Sequence, residues 1–361
     1  CSIISQGQYS FLIRPNCIVQ YNSLINFETK MESFMTSTLI VGNGLGMALN
    51  PDHFNLQTGL TSAWNHFNDA EKHLISLGTN NRPAGEENLE ENHKIMTACH
   101  KLLEFQELEL LNERGINYPD LYRDFIFNTA LHFFNYEGDL PVDFVESLIG
   151  LIQGGCHVAT LNYDKLLYSA LVERNILRGY DGDLVDGIYN SGYHYENMLR
   201  TFHHFNWYLH IHGCPIFYTK NSEIYKCKYY EVPDSTRNLE EKYEHIVLAK
   251  TELKPEIISN SPILGSYFNF FSKALFESTR LFIFGYSGED NHINNEIKNW
   301  ALDRSNSFED TVIYIIQWRG AQQNEIYWKH RIIPNMPWEN EERITLHYIP
   351  LDNILEYRFP E

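Results

Sequence analysis

Three successive polar side chains, Asn162, Tyr163 and Asp164, stand where a short apolar segment ends. Residues 156–161 predict a buried strand, and residues 165–173 carry leucines at helical spacing. An amide, a phenol and a carboxylate at such a strand-to-helix turn suit a polar ligand site, because open α/β sheets bind ligands at the carboxyl ends of their strands. In the alternative interpretation this is an ordinary turn, and Asp164 caps the helix.

A glycine-rich turn, Gly42-Asn43-Gly44, comes directly after the apolar residues 38–41. A strand that leads into such a turn allows the backbone to approach phosphate groups closely. The strict dinucleotide-binding pattern would have glycine at position 47, where Met47 stands. A plain glycine-rich β-turn is therefore a strong competing interpretation.

Two more turns with polar or glycine residues follow predicted strands. His212 comes directly after the predicted strand at 207–211, and Gly-Tyr-Ser-Gly at 285–288 follows the predicted strand at 281–284. Histidine is the side chain best suited to act as a base near neutral pH, although a buried core histidine is the simpler interpretation of His212. A metal site is a third interpretation, because His210 shares a strand face with His212. No carboxylate stands at a recognised metal spacing from them, so we expect no metal.

Predicted strands alternate with predicted helices from residue 138 onwards, and further strands are predicted at 311–317 and 344–349. This alternation predicts an α/β fold with a doubly wound parallel sheet and right-handed crossovers. Since parallel strands have their carboxyl ends at one edge, we expect all four turns to share a single cleft.

A long helical stretch separates the first two predicted strands. We interpret residues 58–137 as a helical insertion in a domain formed by residues 36–57 and 138–361. Residues 1–35 are polar and are expected to be an N-terminal extension. Residues 174–205 are rich in Gly, Tyr, Asp and Asn and are predicted to be a loop, whereas the polar, irregular residues 219–262 predict a long loop or a small subdomain. The first helix of the insertion is predicted from apolar residues on one face: Trp64, Phe67, Ala70 and Leu74.

Composition excludes several classes of function. With 28 basic and 47 acidic residues, the formal net charge of −19 argues against binding nucleic acid or an anionic membrane surface. None of the six cysteines forms a C-x-x-C pair, which argues against a zinc finger, and Cys99 and Cys156 are predicted to be buried thiols. This cysteine usage and the lack of an apolar run of transmembrane length lead us to expect a cytoplasmic protein.

In chain order, the turns at 42–44, 160–164, 210–213 and 285–287 resemble those of the sirtuin-like superfamily. They are more similar to its bacterial anti-phage branch than to the protein deacylases. The resemblance covers roughly residues 38–300. It implies a Rossmann-like fold that binds NAD and cleaves the bond between nicotinamide and ribose.

The resemblance also implies roles for individual residues. Asn162 and His212 match the family's catalytic Asn and His, and Asp164 completes the second motif, where it orients the ribose or the turn. NAD contacts are implied for residues of the four turns: Gly42, Asn43, Gly44, Thr160, Tyr163, Gly285 and Ser287. The first turn differs from the family's frequent Gly-Ala-Gly, and the four-cysteine zinc module of the deacylases is missing. We therefore do not expect protein deacylation.

The expected function is hydrolysis of NAD to nicotinamide and ADP-ribose, in anti-phage defence by NAD depletion. The chemistry agrees, because His212 can accept a proton and the Asn162 amide can hold a water or a ribose hydroxyl. Such an activity must be silent in healthy cells. We therefore expect control by a homo-oligomer or by a separate regulatory protein such as an ATPase.

Two alternative functions stay open on the sequence. Residues 285–289 resemble the nucleophile elbow of serine hydrolases, with Ser287 as nucleophile and Asp310 and His347 in a suitable chain order. The domain would otherwise be a sensor or assembly module that binds NAD or ADP-ribose without turnover.

Overall fold

The computed structural model describes residues 36–78, 81–105, 110–201, 203–236, 239–306, 310–333 and 343–360. The predicted N-terminal extension lies outside these residues. The strands are β1 (Ser37–Val41), β2 (Cys156–Thr160), β3 (Leu184–Val185), β4 (Ile188–Tyr189), β5 (Gly192–Tyr193), β6 (Asn206–His210), β7 (Phe217–Lys220), β8 (Glu223–Lys226), β9 (Arg280–Phe284), β10 (Thr311–Trp318) and β11 (Ile344–Leu351).

Seven of these strands form one parallel sheet in the order β11-β10-β9-β1-β2-β6-β3. The central strands β1 and β2 are buried along their whole length, so apolar residues stand on both faces of each strand and do not alternate with exposed polar ones. From β1 the chain builds the sheet first towards β2 and later, through β9, in the opposite direction. The junction of β1 and β9 is therefore the topological switch point, where doubly wound sheets bind ligands.

Helices cover the sheet and fill the segment between its first two strands. They are α1 (Gly44–Leu49), α2 (Pro51–Phe54), α3 (Leu56–Asn65), α4 (Asp69–Ile75), α5 (Glu90–Glu104), α6 (Glu113–Phe134), α7 (Val142–Gln153), α8 (Leu166–Glu173), α9 (Lys254–Asn260), α10 (Pro262–Glu277), α11 (Asn291–Ser305) and α12 (Glu325–Ile332). The predicted Rossmann-like α/β fold is confirmed. Helices α1 to α7 lie between β1 and β2, whereas the division into a domain and an insertion stays a prediction.

Several local predictions were wrong. The single helix predicted across Trp64 and Leu74 is two helices, because Asn68 forms a capping box with Glu71 and starts α4 anew. The segment predicted as loop at 174–205 contains β3, which extends the main sheet beside β6. For the segment 219–262, where a long loop or a small subdomain is predicted, the structure excludes a plain loop, because the segment contains most of the β7–β8 hairpin and α9. Two-residue strands and short hairpins are too brief to show a period in the sequence.

The structure also bears on two features considered in the sequence, the buried thiols and membrane-spanning helices. Cys99 and Cys156 are buried free thiols, as expected. Within the described ranges, the structure has no helix whose length and apolar character would let it cross a membrane.

Candidate functional site

The four turns do share one cleft, with a volume of about 810 Å³, at the carboxyl edge of the sheet. Nine of the ten residues that the sequence singled out line its wall: Gly42, Asn43, Gly44, Asn162, Tyr163, Asp164, His212, Gly285 and Ser287. Thr160 lies below the wall, where its hydroxyl accepts a hydrogen bond from the Asn162 N–H at 3.2 Å. The structure thus brings the predicted residues together, and their individual roles stay predictions.

The glycines of the first and last turns hold the two turns against each other. The Gly44 N–H donates to the Gly285 carbonyl at 2.8 Å, and the Gly42 N–H donates to the Phe284 carbonyl at 2.9 Å. A Cβ atom on Gly44 would lie 2.6 Å from the Gly285 Cα, and Gly285 itself has a φ of +62°. Both positions therefore require glycine for backbone packing at the switch point. Because the N–H groups of Gly42 and Gly44 are already bonded, they are not free to bind phosphate.

Two other turn residues are tied to the protein by their side chains. The Asn43 amide donates to the Phe54 carbonyl at 2.9 Å, which links the first turn to α2. The Tyr163 hydroxyl donates to the Val247 carbonyl at 2.5 Å, which anchors the second turn to the residue that precedes Leu248 of the cleft lining. Ser287, in contrast, is exposed at the rim.

Asp164 is buried beside the cleft and combines both interpretations that the sequence allowed. One carboxylate oxygen accepts the Leu166 N–H at 3.0 Å, as a turn residue at the start of α8 would do. Burial nevertheless raises the pKa of Asp164 to about 6, and backbone N–H groups only partly oppose this effect. The ionised carboxylate of Asp164 is therefore only partly stabilised by its surroundings beside the cleft.

The Asn162 carboxamide stands out because its bonding capacity is unused. The residue is 5% exposed, and both amide atoms are buried without a hydrogen-bond partner among the described residues. The amide also favours the ionised form of Asp164, without reaching hydrogen-bond geometry. An unpaired buried polar group costs about 1–3 kcal/mol, so a side chain kept this way in a cleft wall suits a ligand.

His212 reaches the cleft from the turn after β6. Its Nε2 atom lies 3.2 Å from Nε2 of His292. Burial lowers the pKa of His212 to about 3, while the charge of Asp290 acts in the opposite direction. The imidazole is therefore neutral at pH 7, with a lone pair that can accept a proton, and Asp290 is the group that would stabilise the protonated form.

His210 does not form a pair with His212, although they are two residues apart. It is fully buried, and its ring packs against three aromatic rings: Tyr168, Tyr208 and Phe217. The metal interpretation based on these two histidines is therefore wrong, because β6 ends at His210 and the chain turns before His212.

Comparison with known proteins agrees with this geometry. Residues 157–334 match the family described as SIR2-like domain. This match identifies residues 157–334 as SIR2-like. The matched segment includes Asn162, His212 and the turn at 285–287, and SIR2-like domains bind NAD. No curated protein matches the chain.

The cleft also has site residues that were not predicted from the sequence. The Lys254 ammonium lies 2.8 Å from an Asp290 oxygen and 3.0 Å from a Glu86 oxygen, and all three residues line the cleft. Burial lowers the pKa of Lys254, but the charges of Asp290 and Glu86 raise it more, so the lysine stays protonated. In the sequence, the only sign of this group of residues is the Asp-x-His spacing at 290–292, which follows the last of the four turns.

The serine-hydrolase triad does not assemble in the structure. Ser287 follows the carboxyl end of β9, whereas Asp310 precedes β10, which runs parallel to β9. The eight residues of β10 span roughly 26 Å, so the two side chains lie at opposite edges of the sheet. His347 lies inside β11 and stacks on Tyr314. We therefore set this alternative aside.

Proposed function

We propose that this SIR2-like domain hydrolyses NAD to nicotinamide and ADP-ribose. The proposal rests mainly on one observation: the unpaired Asn162 amide and the neutral His212 imidazole line one cleft at the switch point of the sheet. The size of this cleft is within the range that proteins use for cofactor-sized ligands. The family match supports an NAD-related activity of this cleft.

The reaction needs few groups. A water oxygen forms a bond to C1′ of the ribose, the bond from C1′ to the nicotinamide nitrogen breaks, and its electron pair leaves with neutral nicotinamide. The proton of the water passes to His212, and the nearby Asp290 carboxylate stabilises the resulting imidazolium. Asn162 can hold the water or a ribose hydroxyl, because its amide both donates and accepts. Lys254 and Glu86 contribute fixed charges to the same wall.

The biological role follows from the resemblance of the four turns to anti-phage sirtuin-like proteins. We propose that NAD depletion during infection is that role, and that assembly into a homo-oligomer or a regulatory partner, for example an ATPase, controls it. A protein that consumes NAD must be kept inactive until it is needed.

The decisive test measures nicotinamide release from NAD by the purified protein over a series of protein concentrations. We expect His212→Ala and Asn162→Ala each to lower turnover by about 100-fold or more, the usual contribution of a positioned base. His204→Ala is the matched control, because this histidine is exposed and outside the cleft wall, and we expect it to keep wild-type turnover. Near-wild-type turnover in either cleft variant would contradict the role of that residue.

One observation favours the sensor alternative. With its pKa held at about 3 by burial, the resting His212 is a weak base. A protein that binds NAD tightly but releases no nicotinamide at any concentration would support a sensor. A steep rise of turnover with protein concentration would instead support an enzyme that assembly activates.

A further inference from the structure

Three potential metal ligands meet at the cleft wall: His212 and Asp290, which line it, and His292. Their ligand atoms lie within 4.8 Å of one another, and all three residues are buried. His212 comes from the turn after β6, Asp290 immediately precedes α11, and His292 lies in its first turn. Because these segments are far apart in the sequence, the sequence analysis found no carboxylate near His212 and expected no metal.

The distances suit a metal of the zinc class. Two imidazole nitrogens that bind one tetrahedral Zn²⁺ at 2.0–2.1 Å are separated by about 3.3 Å. The two Nε2 atoms of His212 and His292 are 3.2 Å apart. Two imidazoles with one carboxylate also select zinc-like ions over Mg²⁺ and Ca²⁺, which prefer ligand sets made of oxygen.

One nitrogen of the His292 ring is left unpaired by the part of the protein that the structure describes. Nδ1 of His292 is buried without a hydrogen-bond partner among the described residues. The ion would bind the other nitrogen, Nε2, which lies 3.2 Å from Nε2 of His212.

The neighbouring charged side chains favour a divalent cation but do not fully neutralise it. One Asp290 oxygen already contacts Lys254, and the second oxygen is the one that would bind an ion. The carboxylates of Asp290 and Glu86 outnumber the single ammonium of Lys254. A divalent ion would therefore be favoured by the net charge, although Lys254 weakens its binding.

We propose that His212, Asp290 and His292 bind one zinc-class ion, and that this ion inhibits the cleft. Inhibition rests on the proposed function, because the ion occupies the His212 lone pair that would accept the proton. A divalent charge beside the cleft would also oppose the positive charge that develops on the ribose as nicotinamide leaves. The binding of the ion does not depend on the proposed function.

Binding is tested with Co²⁺, whose visible absorption reports tetrahedral coordination, on the untagged full chain after treatment with a chelator. We expect the wild type and His204→Ala to bind one equivalent, which Zn²⁺ displaces, and His292→Ala to lose this tetrahedral signal. Circular dichroism of His292→Ala confirms that it is folded. The absence of the signal in the wild type, or an unchanged signal in His292→Ala, would overturn the site.

Inhibition is tested separately by nicotinamide release with and without added Zn²⁺. We expect Zn²⁺ to lower wild-type turnover at least tenfold and a chelator to restore it. Turnover that rises or stays constant with one bound ion would overturn the inhibitory role and leave the site standing. Metal binding by a protein that never releases nicotinamide would count against the proposed function alone.

Discussion

Two buried histidine clusters lie at opposite ends of the same sheet, and they contain the same kinds of groups. At the amino edge, His157 of β2 lies with Arg200 and Glu277. At the carboxyl edge, His212 lies with Lys254 and Asp290. Each cluster has a histidine, a cation and a carboxylate, so composition alone does not distinguish them.

In the amino-edge cluster, both ring nitrogens of the histidine have partners. Nδ1 of His157 accepts a hydrogen bond from the backbone N–H of Trp207 at 3.1 Å, and Nε2 lies 3.3 Å from a Glu277 oxygen. The ring stacks on the Trp207 indole, with centroids 4.7 Å apart, and the Arg200 guanidinium covers the same indole. Every bonding group of the His157 ring is in use, which is the arrangement of a structural cluster.

The carboxyl-edge cluster has unused bonding capacity. The Asn162 amide and Nδ1 of His292 are buried without partners in the described part of the chain, and His212 lines a cleft. Burial lowers the pKa of both His157 and His212, so a shifted histidine pKa by itself does not mark a functional site. Unfilled polar groups beside a cleft are the better marker.

The largest stability effect is expected from His157→Ala at the amino edge. Removing the ring leaves a cavity against Trp207 and an unpaired Trp207 N–H, which together cost about 3–5 kcal/mol of unfolding free energy. Turnover per folded molecule should not change, whereas His212→Ala should lose turnover and keep its stability. Chemical denaturation of both variants, with His204→Ala as control, measures the contrast. Equal stability losses in His157→Ala and His212→Ala would remove the distinction between the clusters.

A second contrast is the response of Asp164 and Glu277 to pH. Burial raises the pKa of Asp164 from 3.8 to about 6, so the native state binds more protons than the unfolded state between these values. Stability from this group therefore falls as the pH rises from about 4 to 6, by up to about 3 kcal/mol. Asp164→Asn should remove this loss of stability. In denaturation series, the variant's unfolding free energy should rise relative to that of the wild type as the pH increases from about 4 to 6.

Glu277 should respond in the opposite direction and serves as the comparison. Burial would raise its pKa, but the hydrogen bonds from His157 and Arg200 outweigh burial and lower it. Its stabilising contribution is therefore present at neutral pH and is lost as the pH falls through its native pKa. The same pH trend in Asp164→Asn and Glu277→Gln would contradict the different environments assigned to the two carboxyls.

The smallest effect concerns two glycines at the two edges. Gly44→Ala should cost about 1–3 kcal/mol, because its Cβ would lie 2.6 Å from the Gly285 backbone and would force the cleft turns apart. Gly150 lies in α7 near the amino edge and has open space at its Cβ position, so Gly150→Ala should stabilise by up to about 1 kcal/mol. Thermal unfolding of both variants checks the opposite signs. Destabilisation by Gly150→Ala as large as that by Gly44→Ala would show that the turn packing is not special.

The sequence predicted the regular elements of the sheet well and its short elements badly. Apolar segments such as those of β1, β2 and β9 are visible because each strand is buried on both faces. β3 has only two residues, and the polar helix α12 shows little periodicity. Both escaped prediction because a local pattern needs length to stand out.

By itself, the sequence determined the parallel α/β fold and the four turns that share a cleft, including Asn162 and His212. That was possible because parallel strands place their carboxyl ends together, whatever the details of packing. Only the tertiary structure decided that His292 and Asp290 reach His212, and that Lys254 and Glu86 join the same wall. These contacts depend on how α11, α9 and the segment before α5 pack over the sheet, and no local pattern records the distance between residues that are far apart in the chain.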